Sequence, residues 1–497
     1  MRLQSTDMKF TILRIFLIIS LFTSFIGAGL ITRPVQAQSS GLYYVVQQND
    51  TLYSISLYFH TTPLRIQLAN YLTDADVIYL GRHLYIPGFN DLSGKLTPVK
   101  IGIGDTPLSL MRSSQADEST FNRINFLTSN DAIVVGQKLF TITSGSGANI
   151  RVPVTDGGIT GLEMAAENDV NPWSADLYNS LPGTWYLIPN DILYLPAKSG
   201  NSVNNILPGV DEITASPLAQ GSTAIFTLKG SGGAQVQANM TFSVVDVDQE
   251  QENQANSTPA TSTPTKNEVY NLNFFSLSDG SMEALQGTPR MTIPGIARLT
   301  LTSKDANGHS YSFDQNLMVK KVDYGYDYQM QVASETIDPK VTEPEDEFLF
   351  KTVAPVTATK MWNGTFVPPT STPTCTTDTY GKLRSFNGSD WIYWHSGIDF
   401  CGAVGDKIFA AADGTVIYTG DLDVRGNTTI IDHGKGVYTG YYHQSKIEVT
   451  VGEQVKAGQE IGLIGATGRV TGPHLHLDVI VGDVQVNPVE WLNGSIP

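Results

Sequence analysis

Two short segments near the C-terminal end of this 497-residue sequence carry residue types that bind metal ions. His395 and Asp399 lie in Trp394-His395-Ser396-Gly397-Ile398-Asp399, and His474 and His476 follow some eighty residues later in Gly472-Pro473-His474-Leu475-His476-Leu477. Neutral imidazole and carboxylate are the nitrogen and oxygen donors that zinc accepts, and three protein ligands leave a fourth position for water. The four groups therefore read as three ligands for one zinc ion and a spare imidazole for proton transfer. Such ligands need a rigid element beneath them. Leu475 and Leu477 alternate with the two histidines, a period-2 pattern that predicts a strand. A strand puts both imidazoles on one face, roughly 7 Å apart.

These residues resemble the lysostaphin-like zinc endopeptidases, the M23 metallopeptidases that cut peptides of bacterial cell-wall peptidoglycan. The resemblance runs from about Tyr380 to Trp491 and takes in Ala410 to Val416, Ile431 to Gly434, Tyr441-Tyr442-His443, Val455 to Gly458 and Gly465 to Gly468. Carried across residue by residue, it implies that His395, Asp399 and His476 ligate zinc and that His443 and His474 are the catalytic pair. Zinc would polarise the scissile carbonyl and acidify its bound water. One free histidine would take a proton from that water, and the other would stabilise the oxyanion or protonate the leaving amine.

The remaining histidines read as structural: His60, His83 and His309 singly, and His433 within an Asp-His-Gly turn that carries no metal role in the family. Family members that have lost ligands serve as activators of other wall hydrolases, but no ligand or catalytic position is missing here. The departures are small. Leu477 stands where an aromatic is usual, and Asp478 follows it; both bear on how the site is packed.

The length implies three to five domains. Residues 1–37 read as a signal peptide, with Arg2, Lys9 and Arg14 ahead of an apolar run from Ile15 to Ile31 and small residues near Ala37. An uncleaved membrane anchor is the alternative. A net charge of −17 excludes nucleic acid as the expected partner, because phosphate binding needs clustered Lys and Arg. The two cysteines, Cys375 and Cys401, flank the first candidate ligand. In an exported protein they pair as a disulfide; Cys401 as a fourth zinc ligand would close the site to water.

The front of the chain repeats. Residues 43–88 resemble a LysM domain, a βααβ module that binds N-acetylglucosamine-containing glycan, through Tyr44-Val45-Val46, Asn49 to Ile55, Leu68-Ala69-Asn70 and Leu84 to Pro87. Asp50-Thr51 supplies a helix cap, and Leu52, Ile55, Ser56 and Phe59 form an apolar stripe. Asn49 replaces the usual glycine at a turn that accepts φ > 0. Gly104-Asp105-Thr106 and Asn125 echo Asn49-Asp50-Thr51 and Asn70, so residues 98–143 read as a degenerate second module. Asn179 and Leu193 to Pro196 fall at the same mutual spacing and mark a fainter third copy over 152–198, or an unrelated α/β piece. Glycan binding is expected of the first copy and a spacer role of the third.

Residues 205–333 are strand-like, with runs such as Ala224 to Leu228 and Ala297 to Thr302 and an Asn307-Gly308 hairpin signal. They predict an immunoglobulin-like sandwich interrupted by a disordered insert at 249–266. A connector, 334–378, holds an acidic stretch and anchoring aromatics at Trp362 and Phe366, and the peptidase-like domain occupies 379–497. The expected fold class is thus multidomain and mainly β: βααβ repeats, a β-sandwich and a C-terminal antiparallel-β domain. The expected function is a secreted or cell-envelope zinc endopeptidase cutting peptide crosslinks or stem peptides of peptidoglycan, targeted by LysM glycan binding. Contact with a membrane is expected only if the N-terminal segment is retained. The alternative is a non-catalytic wall-binding protein or an activator of another hydrolase.

Overall fold

The computed structural model describes residues 41–496 apart from 74–77, 115, 129–132, 144–148, 157–159, 182–186, 197–204, 231–235, 247–264 and 392. The signal-like segment 1–37 and nearly all of the insert 249–266 lie outside the described residues. Thr265 and Lys266 are an exception and open a strand, because their backbone pairs with Val244 and Val245.

The chain divides into two compact units, residues 1–97 and 98–497. In the first, β1 (Leu42–Val45) pairs antiparallel with β2 (His83–Tyr85) across two short helices, α1 (Leu52–Tyr58) and α2 (Pro63–Ala69). Thr51 caps α1 reciprocally with Ser54, while Asp50, expected to share the cap, instead closes the preceding turn by accepting from the Gln47 N–H. Asn49 has φ 68°, the left-handed conformation that asparagine tolerates better than most residues. Leu52, Ile55, Ser56 and Phe59 are buried. The unit ends within β3 (Gly94–Lys100), whose first residues run parallel to β1.

In the second unit the βααβ order appears twice more. It runs from β3 through α3 (Pro107–Ser114), α4 (Glu118–Asn125) and β4 (Lys138–Thr143), then through β5 (Asn149–Pro153), α5 (Gly161–Glu167), α6 (Pro172–Asn179) and β6 (Ile192–Pro196). β5 begins at Asn149, ahead of the expected 152, because Asn149 pairs with Pro196. One device recurs in all three modules. The side chains of Asn70, Asn125 and Asn179 each donate to a carbonyl four residues back and to a strand carbonyl fifteen residues on, and each accepts from that strand residue's N–H. A single amide thereby satisfies a helix end and ties it to the closing strand.

Next comes a two-sheet sandwich. One sheet has the order β11 (Thr265–Leu272), β10 (Gln237–Val245), β14 (Gly295–Lys304), β15 (Ser310–Lys320), β8 (Leu218–Ala219). The other runs β12 (Phe275–Ser276), β13 (Met282–Gly287), β9 (Thr223–Lys229), β7 (Glu212–Ala215). Alternating residues such as Met240, Phe242, Leu299 and Leu301 face a shared core. The last strand ends at Lys320, short of the expected boundary at 333. Beyond it the chain leaves the sandwich and bridges to the peptidase-like region at Tyr326–Leu383 and Met330–Phe386.

The C-terminal region is a ten-stranded antiparallel sheet with the main path β16 (Thr376–Asp378), β19 (Ile398–Cys401), β26 (His474–Val481), β23 (Val437–Ile447), β22 (Gly426–Gly434), β21 (Gly414–Leu422), β24 (Gln454–Val455). Off that path, β20 (Lys407–Phe409) pairs with β25 (Glu460–Ile464), and β27 (Val484–Val486) pairs with β26. A separate ladder joins β17 (Leu383–Arg384) to β18 (Tyr393–Trp394). β16 comes from the expected connector, so the sheet begins before residue 379. The connector also supplies α7 (Pro339–Val353), which buries Leu349 and Val353 against Ile430, Tyr438 and Ile480. Trp362 packs edge-on and Phe366 at a tilt against Trp491 in the main core. Cys375 and Cys401 form a disulfide, so Cys401 is not free to ligate a metal.

Candidate metal centre

β19 and β26 are neighbours, and their register sets Asp399 directly opposite His476. His474, His476 and Asp478 alternate along β26 and share one face. His395 reaches the same point from the turn before β19. Gly397 makes that turn possible: a Cβ there would collide with the Leu477 carbonyl and sit 2.6 Å from both Asp478 Oδ1 and His476 Nε2. Only glycine lets the backbone between His395 and Asp399 pass so close to β26.

Three donor atoms meet here. His395 Nε2, Asp399 Oδ1 and His476 Nδ1 lie 2.8 to 3.0 Å from one another, and all three side chains are buried. Their outer bonds fix the tautomers. His395 Nδ1 is 3.0 Å from the Thr379 carbonyl, which can only accept, so the ring hydrogen sits on Nδ1. His476 Nε2 donates to Asp478 Oδ1 at 2.6 Å. When neutral, the rings turn two lone pairs and a carboxylate oxygen toward one spot, an arrangement that repels itself unless a positive charge, a metal ion or a proton, stands at its centre. Burial opposes charge on His476, but Asp478 and Asp399 outweigh it and raise its pKa to about 9. Burial also opposes ionisation of Asp399, yet the two imidazoles hold its carboxyl well below the usual range. Among the described residues these three form the group whose donor atoms, all within 4.8 Å, could hold a metal ion. Nitrogen and oxygen donors with bonds of about 2.0–2.2 Å sit roughly 3.3 Å apart around a tetrahedral ion, so the cluster fits after opening by a few tenths of an ångström.

His443 and His474 stand beside this cluster with ring centres 4.9 Å apart. Each gives its Nδ1 to a carbonyl, Thr467 and Gly472 respectively, at 2.8 Å. Both Nε2 atoms are thus lone-pair acceptors, and that of His474 lies 3.6 Å from Asp399 Oδ1. His443 sits in a bulge of β23, where Tyr442 and His443 stand against Thr428 alone. Its φ of 62° is left-handed, a strained state for a non-glycine residue that re-aims the ring out of the strand's normal alternation. Burial and the neighbouring imidazoles push its pKa well below the usual histidine value.

Of the supporting residues, Tyr442 and Arg384 carried no assigned role in the sequence, and Asp478 was expected only to bear on packing. Asp478 orients His476, and Tyr442 stacks on the same ring at 5.3 Å and 21°. Arg384 reaches Asp399 Oδ2 at 3.4 Å. For Asp478 the signal was available: it stands two residues beyond His476, on the face that already carries both histidines. The other histidines have no place in the cluster. His433 is buried between the Asp413 carbonyl and the Thr439 hydroxyl, each at 2.8 Å, while His60 and His83 are exposed and His309 pairs with Asp305.

Comparison with known proteins follows the same division of the chain. Residues 393–488 match peptidase family M23, and residues 44–87 match the LysM domain. The peptidoglycan DD-endopeptidase ShyA of Vibrio cholerae serotype O1 is 44% identical over 103 residues, which is 21% of this chain and 23% of ShyA. The DD-carboxypeptidase/endopeptidase Mpg of Neisseria meningitidis serogroup B is 41% identical over 95 residues, 19% of this chain and 22% of Mpg. The chain thus spans less than a quarter of the length of these curated relatives. The catalytic domain of lysostaphin from Staphylococcus simulans aligns at 28% identity with a TM-score of 0.20, covering 26% of this chain and 90% of that domain. The sheet that brings His395, Asp399 and His476 together is therefore a peptidase family M23 domain, in a chain that also carries a LysM domain at residues 44–87.

Proposed function

We propose that this protein is a secreted, zinc-dependent endopeptidase that hydrolyses peptide crosslinks or stem peptides of bacterial peptidoglycan, held on N-acetylglucosamine-containing glycan by its LysM domain. The observation that carries the reading is the buried meeting of two imidazole lone pairs and a carboxylate, flanked by two further imidazoles with open Nε2 atoms. The names of the relatives, DD-endopeptidases of peptidoglycan, support the substrate class.

His395, Asp399 and His476 would hold the zinc. Bound there, zinc supplies a Lewis acid that polarises a peptide carbonyl and acidifies a water. The chain's own groups handle the proton. With their Nδ1 hydrogens engaged by carbonyls, His443 and His474 present Nε2 to the reacting atoms, where one takes a proton from water and returns it to the departing amine. Burial keeps His443 neutral at pH 7, the form required of a base. Asp478, Thr379 and Arg384 hold the ligands in the orientation the ion needs. Cleft loops such as Asp421 to Gly426 would select the peptide. Residues 1–37, the expected export signal, lie outside the described residues, and among the described residues no helix is long and apolar enough to cross a membrane.

The test is incubation of the purified full chain with peptidoglycan sacculi, scoring new amines and identifying released muropeptides by mass spectrometry. Release should be lost with a chelator and with His395→Ala, and regained when zinc is returned to the wild type. Sacculi left intact by protein carrying stoichiometric zinc would remove the hydrolase reading and leave a wall-binding or activator role.

A further inference from the structure

The cavity that opens onto the metal cluster carries the opposite charge to the chain. The sequence has a net charge of −17, yet the cavity of about 80 Å³ beside His395, His443 and His476 is lined by Arg384, Arg425 and Arg469 and by no carboxylate among the described residues.

The three guanidinium groups differ in what they already hold. Arg384 is tied to Asp327 and Asp399, each at 3.4 Å, and to Asp378. Arg425 pairs with Glu345 at 2.9 Å and Asp346 at 2.8 Å and lies over the ring of Tyr442. Arg469 has no carboxylate within ion-pair distance among the described residues. Its Nη1 donates to the Thr336 carbonyl at 2.9 Å, and its guanidinium sits 4.8 Å from the centre of the Phe386 ring. The acids whose charge it feels, Glu345 and Asp346, are committed to Arg425. Burial and the positive charges of Arg425 and Arg384 push its pKa down to about 10, which still leaves it fully charged at neutral pH. Its backbone N–H donates to the Val424 carbonyl at 2.8 Å, and Phe386 stacks on the guanidinium, so the group is positioned as well as charged. Of five N–H donors, the carbonyl of Thr336 uses one. A planar fork with spare donors in a partly dry, acid-free cavity suits a carboxylate.

We propose that Arg469 binds a free carboxylate of the substrate peptide, so that crosslinks bearing a carboxylate near the scissile amide are preferred over neutral ones such as glycine-rich bridges. This rests on the endopeptidase reading above. It assigns Arg469 a specificity role at the cavity beside the metal cluster, distinct from Arg384 and Arg425, whose charges are already neutralised by the protein.

The test uses zinc-loaded full-length protein and two synthetic crosslinked peptides that differ only in a free carboxylate or its carboxamide. The acid should exceed the amide in kcat/KM by about tenfold or more, mostly through KM, as expected for a charge-assisted hydrogen bond. Arg469→Gln should bring that ratio close to one, and Arg469→Lys should retain part of it. The ratio is internal to each protein, so partial unfolding does not imitate the effect. A wild-type ratio near one, or an unchanged ratio in R469Q, overturns the proposal. If neither peptide is cut, the endopeptidase reading fails, and calorimetric titration with the same two peptides decides this one. Tighter binding of the acid that disappears in R469Q supports it, and equal affinity overturns it.

Discussion

Replacing Asp478 by asparagine tests how far the proposed metal site depends on a residue outside its ligand set. The Asp478 carboxylate is fully buried and surrounded by donors. Oδ1 faces His476 Nε2 at 2.6 Å and Ser396 Oγ at 3.0 Å, while Oδ2 faces Gln485 Nε2 at 2.6 Å and Tyr442 Oη at 3.2 Å. Asparagine fits the same space with one oxygen and one NH2. Hydroxyls can rotate and Gln485 can turn its amide, but His476 cannot accept at Nε2 without moving its hydrogen to Nδ1, the lone pair the metal needs. The oxygen of the introduced amide should therefore stay on His476, and the strained contacts should fall on Gln485. What is lost is the charge: a charge-assisted bond of about 1.5–3 kcal/mol becomes a neutral one of about 1 kcal/mol. Metal affinity should fall by roughly 10- to 100-fold, about 1.4–2.7 kcal/mol. Asp478→Ala should cost more, because it leaves the buried His476 N–H with no acceptor. Zinc competition against a chromophoric chelator measures both variants, with a thermal melt to confirm folding. A folded Asp478→Asn protein whose zinc affinity stays within about twofold of wild type would refute the reasoning, since it falls outside the range for such supporting residues.

Three further outcomes follow from named contacts. Burial lowers the His433 pKa to about 4 in the folded state against about 6.5 unfolded, so the unfolded chain binds the extra proton between those values. Its stability contribution is complete above pH 6.5 and is lost as the pH falls toward 4, by up to roughly 3 kcal/mol; denaturant titrations of wild type and His433→Gln should show the acid-side slope reduced in the variant. Opening the Cys375–Cys401 bridge, which closes a separation of 26 residues, should cost about 3 kcal/mol and appear as a lower melting midpoint in reductant, and an unchanged midpoint counts against the loop-closure account. Asn179 is buried whereas Asn70 and Asn125 are only partly so, so Asn179→Ala should destabilise by about 2–3 kcal/mol and the other two by about 1, read by calorimetry; equal losses would deny that burial sets the cost.

The parts of the fold that the sequence announced are those carried by local pattern. Leu475 and Leu477 alternating with histidines forecast a strand, and β26 begins at His474. The 55- and 54-residue steps between Asn70, Asn125 and Asn179 were visible because one side chain performs the same three-bond task each time. The mainly-β class followed from the same reading. What local pattern could not carry was partnership between distant segments. Glu345 looked like one more acid in a charged stretch, yet it is buried and accepts from the N–H groups of Val424 and Arg425. The bulge that turns His443 has no marker of its own, since the φ of 62° falls on histidine rather than glycine. Nothing in the sequence marks Arg384 or Arg469, and only the fold brings them to the same cavity.

Glu345 has a consequence for anyone who would move this domain elsewhere. The helix that carries it enters well before the family match begins at residue 393, as do the strand bearing Asp378 and the aromatic pair at Trp362 and Phe366. A fragment trimmed to that match would keep every proposed ligand and abandon the brace beneath Arg425, the edge strand beside Asp399 and the whole Trp362–Phe366–Trp491 cluster. Transplanting this domain therefore means carrying the preceding fifty-odd residues with it as a splint.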